Sequence, residues 1–329
     1  MGNRLEGRVA VVTGSGRGIG RGVAHLLAEE GCAVVVNDYG VAVDGTQPSS
    51  GPSQEVADEI KAKGGRAVAN YDSVATAAGG ENMVKQALDE FGRLDILINV
   101  AGILRDRMVF NMTEEEWDDV IAVHLKGHFC TTKPASIVMR QQRSGRIINY
   151  SSTSGLIGNP GQANYGAAKA AIAGFTRVVA RDLGRYGVTC NYIAPGASTR
   201  MTASVSEQSR ALRARAGIQG AASTAATSQP QGLPPLALRE PEYVAPMTVF
   251  LATDKAWNIN GQGFGVSGGT VSLLTQPLPF RTMFKPGMWT LDELDRDVHV
   301  QLMQGIANPA PPPPDLEVPG RPKVEAATA

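Results

Sequence analysis

Cysteine and histidine are scarce in this chain of 329 residues: there are three cysteines, Cys32, Cys130 and Cys190, and four histidines. The cysteines are odd in number, far apart and never in a C-x-x-C pair. Neither a disulfide framework nor a zinc site is therefore indicated, and a reducing compartment suits them. Excess charge is also missing, because 31 Lys+Arg balance 31 Asp+Glu. A chain without a basic field has no general means of holding nucleic acid or an anionic membrane. No apolar run approaches the roughly 18 residues of a membrane span. Residues Met1 to Gly7 lead into a strand-like segment with no apolar leader and no transit composition, so the chain is expected in the cytoplasm. Glu6 stands where a myristoylation motif wants Ser or Thr.

What is present is a globular composition, with 43% hydrophobic and 19% charged residues, and a length ample for one large α/β core. We expect a main domain over 1–275, a helix-bearing extension over 276–306 and a proline-rich extended tail over 307–329. Within the main domain, residues 202–240 are small, polar and proline-punctuated and are expected to form a substrate lid. In the extension, Thr290 and Glu293 have the spacing of a capping box, which would place Leu294, Val298 and Leu302 on one helix face.

Seven short runs rich in β-branched and other apolar residues recur between helical segments: Val9 to Val12, Ala33 to Asn37, Ala67 to Tyr71, Ile96 to Val100, Arg146 to Tyr150, Val188 to Ile193 and Gly263 to Val266. Nearly continuous apolar strands are buried on both faces, which predicts a Rossmann-type doubly wound parallel sheet of seven strands. Ligands in such sheets bind beyond the carboxyl ends of the strands.

After the first strand comes Thr13-Gly14-Ser15-Gly16-Arg17-Gly18-Ile19-Gly20, followed by a helix with Ile19, Val23, Leu26 and Leu27 on one side. Glycines there permit a tight turn and let a pyrophosphate approach the free N–H groups of the helix terminus. The spacing through Gly14, Gly18 and Gly20 is GxxxGxG, which departs from the GxGxxG fingerprint. Asp38, at the end of the second strand, stands where a ribose diol is expected, and a carboxylate there repels a 2′-phosphate. That favours NAD over NADP, although Arg17 could meet such a phosphate, and Asp38 could simply be a turn residue before Gly40. Asp72 and Ser73 follow the third strand, where they could face an adenine amino group or be ordinary loop residues. Asn99, Ala101 and Gly102 follow the fourth, where small residues would let a cofactor pass closely.

The sharpest constellation is Tyr165-Gly166-Ala167-Ala168-Lys169. At i and i+4 the phenol and ammonium share a helix face, so Lys169 is expected to draw the Tyr165 pKa from about 10 towards neutrality. Ser152, at the end of the fifth strand, can hydrogen-bond a carbonyl or hydroxyl beside the phenol.

Together, TGSGRGIG, NVAG, Ser152, Tyr165-x-x-x-Lys169 and Ala194-Pro195-Gly196 resemble the short-chain dehydrogenase/reductase family over about residues 5–205 and 240–275. The resemblance implies that Tyr165 is the general acid/base, that Lys169 holds the ribose and tunes Tyr165, and that Ser152 orients the substrate oxygen. It also implies that Pro195, Gly196, Ser198 and Thr199 close over the nicotinamide. His124 stands where the family usually has a relay asparagine, so it would either hold a water and relay a proton or be a packed helical histidine. Val100 replaces the second Asn of the commoner NNAG. The strings VVVNDYG, ANYDSV, AGILRDR, VHLKGHF and GLIGNPGQANYGAAK look like the (3R)-hydroxyacyl-CoA dehydrogenase region of peroxisomal multifunctional enzymes. The expected reaction is NAD-linked oxidation of a 3-hydroxyacyl-CoA by a stand-alone version of that region. Rival readings are a hydroxysteroid or other secondary-alcohol dehydrogenase, an NADP-linked 3-oxoacyl-ACP reductase, and a non-catalytic NAD-binding scaffold. Family members usually pair into dimers or tetramers, and no metal is expected.

Overall fold

A computed structural model describes residues 2–47, 49–197, 240–313 and 316. The expected lid over 202–240 therefore lies, apart from Glu240, outside the described residues, as do Ser198 and Thr199. So does most of the tail.

Seven parallel strands form the body of one sheet in the order β3-β2-β1-β4-β5-β6-β7. They are β1 Val9–Thr13, β2 Ala33–Asn37, β3 Arg66–Asn70, β4 Ile96–Asn99, β5 Gly145–Tyr150, β6 Val188–Pro195 and β7 Gly263–Ser267. An eighth strand, β8 Thr270–Leu273, returns antiparallel on β7. Its alternation Thr-Val-Ser-Leu runs for only four residues, all of them exposed, too short a signal to mark a strand in the sequence. Strand order reverses between β1 and β4, where a doubly wound sheet opens its crevice.

Alternate strand residues feed two cores. Ala10, Val12, Val34, Val36, Ile96 and Ile98 pack with Val23 and Leu27 of α1 (Gly18–Glu29), with α2 (Gly51–Ala62) and with a helix at Ala245–Ala252. Val9, Val11, Val35, Leu97 and Ile147 pack on the other face with α3 (Ala77–Phe91), α5 (Gly127–Gln142) and α7 (Ala163–Gly184). Between β4 and α5 lie α4 (Glu114–Ile121) and a π-helical turn, Ala122–Lys126, and α6 (Thr153–Leu156) follows β5. Burial on both faces explains the continuous apolar runs.

Polar residues end this pattern in one row. Thr13 aligns with Asn37 and Asn99, Asn37 with Asn70, and Asn99 with Asn149. Asn37 donates to Asn70 Oδ1 at 2.7 Å, Asn99 to Asn149 Oδ1 at 3.0 Å, and the Thr131 hydroxyl to Asn99 Oδ1 at 2.7 Å. Buried amides are satisfied by one another at the end of the sheet that carries the site.

Residues Thr275–Ala329 form a separate unit from Met1–Leu274. Its helix Leu291–Asp297 is capped by Thr290 and Glu293 in a reciprocal box. Leu294, Val298 and Leu302 are half-buried among exposed neighbours.

Candidate active site

The turn between β1 and α1 is built by close packing. A Cβ on Gly14 would lie 2.7 Å from the Ala101 Cα, and one on Gly20 would lie 2.2 Å from the Gly14 carbonyl oxygen. Gly14 and Gly18 have φ of +63° and +53°, a region that glycine enters without penalty. Space opens in front of Gly18, where a Cβ would meet nothing within 4 Å. Arg17 is the extended N-cap of α1, and no side chain caps the helix. The terminus thus presents free N–H groups and a positive dipole end to that space. The exposed Arg17 guanidinium has no ion-pair partner among the described residues.

Ser15 and Asp38 hold the turn from the other side. The Ser15 hydroxyl is fully buried and donates inward to the Val12 carbonyl at 2.7 Å, which ties the turn to β1. Asp38 accepts from the Gly16 N–H at 2.9 Å and the Gly40 N–H at 2.7 Å. Its carboxylate therefore borders the glycine turn at the end of β2. Ile19 is half-buried against the adjoining core. Asp72 accepts from Asn70 and Asn82, and Ser73 from the Ala75 N–H. Thr13 Oγ1 accepts from the N–H groups of Val100 and Ala101 and so bends the chain after β4. The Asn99 side chain is engaged inside the polar row. Gly196 donates to the Val266 carbonyl, and Pro195 pairs with Val266 in the sheet. An uncapped helix end, a close-approach glycine turn and the Asp38 carboxylate thus come together at the carboxyl ends of β1 and β2, an arrangement that fits a dinucleotide.

Ser152, Tyr165, Lys169 and His124 meet beside it. The Ser152 hydroxyl faces the Tyr165 phenol closely enough to work against the rise of its pKa. The Lys169 ammonium lies 5.5 Å from the Tyr165 ring centroid and donates to the Tyr150 carbonyl at 2.6 Å. The buried His124 ring stands edge-on to Tyr165, with centroids 5.1 Å apart. Its Nε2 lies 3.1 Å from the Ile103 N and 2.8 Å from the Ile103 O, while Nδ1 has no partner. His124 is thus both packed and equipped with an idle buried nitrogen. A Cβ at position 102 would lie 2.2 Å from its Cε1, so Gly102 makes room for the ring.

The expectation that Lys169 lowers the Tyr165 pKa requires correction. Burial pushes the phenol up to about 12, with Ser152 working against the rise and Asp106 adding to it. Burial also pulls Lys169 down to about 7, so its ammonium is only partly populated near neutrality and supplies little field. Burial further holds the His124 imidazole neutral, well below its ordinary range. An unfolded lysine titrates near 10.5, so between about 7 and that value the unfolded chain binds the extra proton. Stability should therefore rise with pH across this window. Urea midpoints at about pH 7 and about pH 9.5 should show a rise in the wild type that Lys169→Met reduces. Equal slopes in the two proteins would contradict the assignment.

Sequence reasoning did not single out Asp106, Gln162, Asn164 or the Tyr150 carbonyl. Asn164 anchors the start of α7, donating to the carbonyls of Arg105 and Glu116 and accepting from the Tyr165 N–H. The one signal was the nearness of Gln162 and Asn164 to Tyr165 in the chain.

The short chain dehydrogenase family model matches residues 8–210, and the chain belongs to that family of NAD(P)-dependent oxidoreductases acting on CH–OH groups. It is 42% identical over 288 residues to hydroxyacyl-CoA dehydrogenase ChsB1 of Mycobacterium tuberculosis, covering 83% of this chain and 81% of that protein. It is 42% identical over 269 residues to a 3-oxoacyl-[acyl-carrier-protein] reductase of Synechocystis, covering 81% and 98%. A peroxisomal hydratase-dehydrogenase-epimerase of Neurospora crassa is 41% identical over 82% of the chain, which spans about a quarter of that protein's length, 27%. The crystal structure of a short chain dehydrogenase from Mycobacterium avium superposes with a TM-score of 0.74 at 40% identity, covering 94% of this chain and 97% of that one. Among the described residues no helix is long and apolar enough to cross a membrane.

Proposed function

We propose that the chain oxidises (3R)-3-hydroxyacyl-CoA to 3-oxoacyl-CoA with NAD. The convergence of Ser152, Tyr165 and Lys169 beside the glycine turn carries the chemistry of this reading. Similarity to a hydroxyacyl-CoA dehydrogenase along most of both chains supports the substrate class. Ser152 and the Tyr165 hydroxyl bind the substrate oxygen, and Tyr165 Oη carries the proton that leaves or joins it. A phenol held near 12 is protonated and ready to donate to a carbonyl. In the oxidative direction it must first lose that proton, for which Lys169 Nζ and the neutral His124 ring are at hand. NAD, when bound, would supply the acceptor for the hydride that leaves the carbinol carbon. Gly14, Gly18, Gly20 and Arg17 would hold its pyrophosphate, Asp38 its ribose diol, and Lys169 its nicotinamide ribose. Pairing into a homodimer or homotetramer would use α5 and α7, on which Phe129, Ile137 and Val178 are exposed.

The test is reduction of NAD and NADP with (3R)- and (3S)-3-hydroxyacyl-CoA of short and long chain, beside a 17β-hydroxysteroid. NADH formed with the (3R)-thioesters is the expected result. Inert thioesters with an active steroid would remove the acyl-CoA reading. For the coenzyme, Asp38→Ser should move the NADP/NAD ratio of kcat/KM upward by about tenfold or more, because the carboxylate no longer repels a 2′-phosphate. An unchanged ratio would remove Asp38 from coenzyme choice.

A further inference from the structure

Two loops that meet beside Ser152 are joined by a chain of hydrogen bonds for which the reaction as described has no use. Asp106 lies on the loop after β4. Its carboxylate accepts from Gln162 Nε2 at 3.1 Å and 2.9 Å. The buried Gln162 Oε1 accepts from the Ser154 hydroxyl at 2.8 Å and from Asn159 Nδ2 at 2.9 Å. The Ser154 N–H then donates to Ser152 Oγ at 3.2 Å. Arg107 N–H, next to Asp106, donates to the Gly161 carbonyl at 2.8 Å and so closes the seam between the loops.

Each link has a fixed direction. A carboxylate only accepts, so Gln162 must present its amide nitrogen to Asp106 and its oxygen to Ser154 and Asn159. With the Ser154 N–H on one lone pair of Ser152 Oγ, the serine proton is free to point at the phenol or at a substrate oxygen. Ser152 belongs to α6, a helix of four residues, Thr153–Leu156 with Ser152 as its cap. So short a helix has little stability of its own and takes its position from contacts of this kind.

We propose that Asp106 is a positioning residue, which acts through Gln162 and Ser154 to hold Ser152 against Tyr165. The proposal rests on the reading of Ser152 and Tyr165 as the reacting pair. Misplacing a catalytic group by about 1 Å costs on the order of a hundredfold, so Asp106→Ala and Gln162→Ala should each lower kcat by about ten- to a hundredfold. The affinity for NAD should change little. Because the two act in series, the double variant should lose no more than the worse single variant, whereas independent sites would multiply their losses.

The experiment measures NADH formation from (3R)-3-hydroxybutyryl-CoA in these three variants and in Tyr165→Phe. It is paired with NMR of the full chain carrying 13Cζ-tyrosine, in which Tyr165→Phe assigns the Tyr165 signal. At neutral pH that signal should shift in Gln162→Ala, which removes no charge, because Ser152 no longer stands at the phenol. Asp106→Ala should shift it too, there with a direct part from the lost carboxylate charge, and Asp106→Glu should recover part of its losses. Multiplicative losses, or wild-type turnover with an unmoved signal, would overturn the proposal. Full activity in Tyr165→Phe would instead overturn the reading of the pair, and the proposal with it. If the wild type is inert on this thioester, the substrate reading fails and the NMR shift in the charge-neutral Gln162→Ala decides, an unmoved signal there overturning the proposal.

Discussion

Replacing Tyr165 with phenylalanine is expected to reduce kcat by about 10²–10⁴-fold, the usual weight of a placed general acid/base. Coenzyme affinity should stay near the wild-type value, since the groups around the glycine turn are untouched. The reason lies in what surrounds the phenol. Lys169 donates to the Tyr150 carbonyl, His124 is neutral and bonded to Ile103, and Ser152 is only a hydroxyl. Lys169 and His124 are engaged elsewhere, and Ser152, although beside the substrate oxygen, is an aliphatic hydroxyl far too weak an acid to take the phenol's place. The check is steady-state NADH formation together with NAD titration by protein fluorescence. Retained turnover with normal binding would refute Tyr165 as the acid/base and leave the family assignment standing.

Gly14→Ala should have the other large effect, on binding and on stability together. The new methyl would be built 2.7 Å from the Ala101 Cα and 2.8 Å from its N, both of which are backbone atoms that cannot rotate aside. Its φ of +63° adds a left-handed penalty of roughly 1–2 kcal/mol for any L side chain. Overpacking adds about 1–3 kcal/mol. The turn must therefore open away from β4, and NAD affinity should fall by about a hundredfold or more while the urea midpoint drops. Gly18→Ala is the control, because its Cβ meets nothing while its φ is also positive. Equal stability losses in the two variants would show that backbone conformation, and not the contact with Ala101, governs the turn.

Much of this was legible in the sequence because parallel strands buried on both faces write themselves as apolar runs. VAVVT, AVVVN and ILIN are strands by composition alone; the glycine turn, Asp38 and Ser152 follow the ends of β1, β2 and β5 as a doubly wound sheet requires, and Tyr165 and Lys169 show as an i, i+4 pair on α7. Strand β8 escapes because its Thr-Val-Ser-Leu alternation is only four residues long and follows β7 after a two-residue turn. The electrostatics of Tyr165 and Lys169 were misread for a different reason. Spacing on a helix reveals that two groups are neighbours, but burial decided their ionisation, and burial depends on residues distant in sequence. Asp106 and Gln162, 56 positions apart, meet only because two loops converge. Nothing local marks such a pair.

The polar row has a consequence for how the chain finds its pairing. Strands that are apolar at every position carry little information about register, because a slip of one residue in a half-exposed sheet exposes apolar side chains, but here it would only exchange one aliphatic for another. Val34-Val35-Val36 could slide along Val9-Ala10-Val11-Val12 with small loss of burial. The terminal Asn37, Asn70, Asn99 and Asn149 remove that freedom. A one-residue slip would part the paired amides, Asn37 from Asn70 and Asn99 from Asn149, at about 1–3 kcal/mol for each buried group left unsatisfied. These asparagines act as alignment marks, and the alignment they enforce brings the carboxyl ends of β1, β2, β4 and β5 level, so that the glycine turn, Asp38 and Ser152 stand around one crevice.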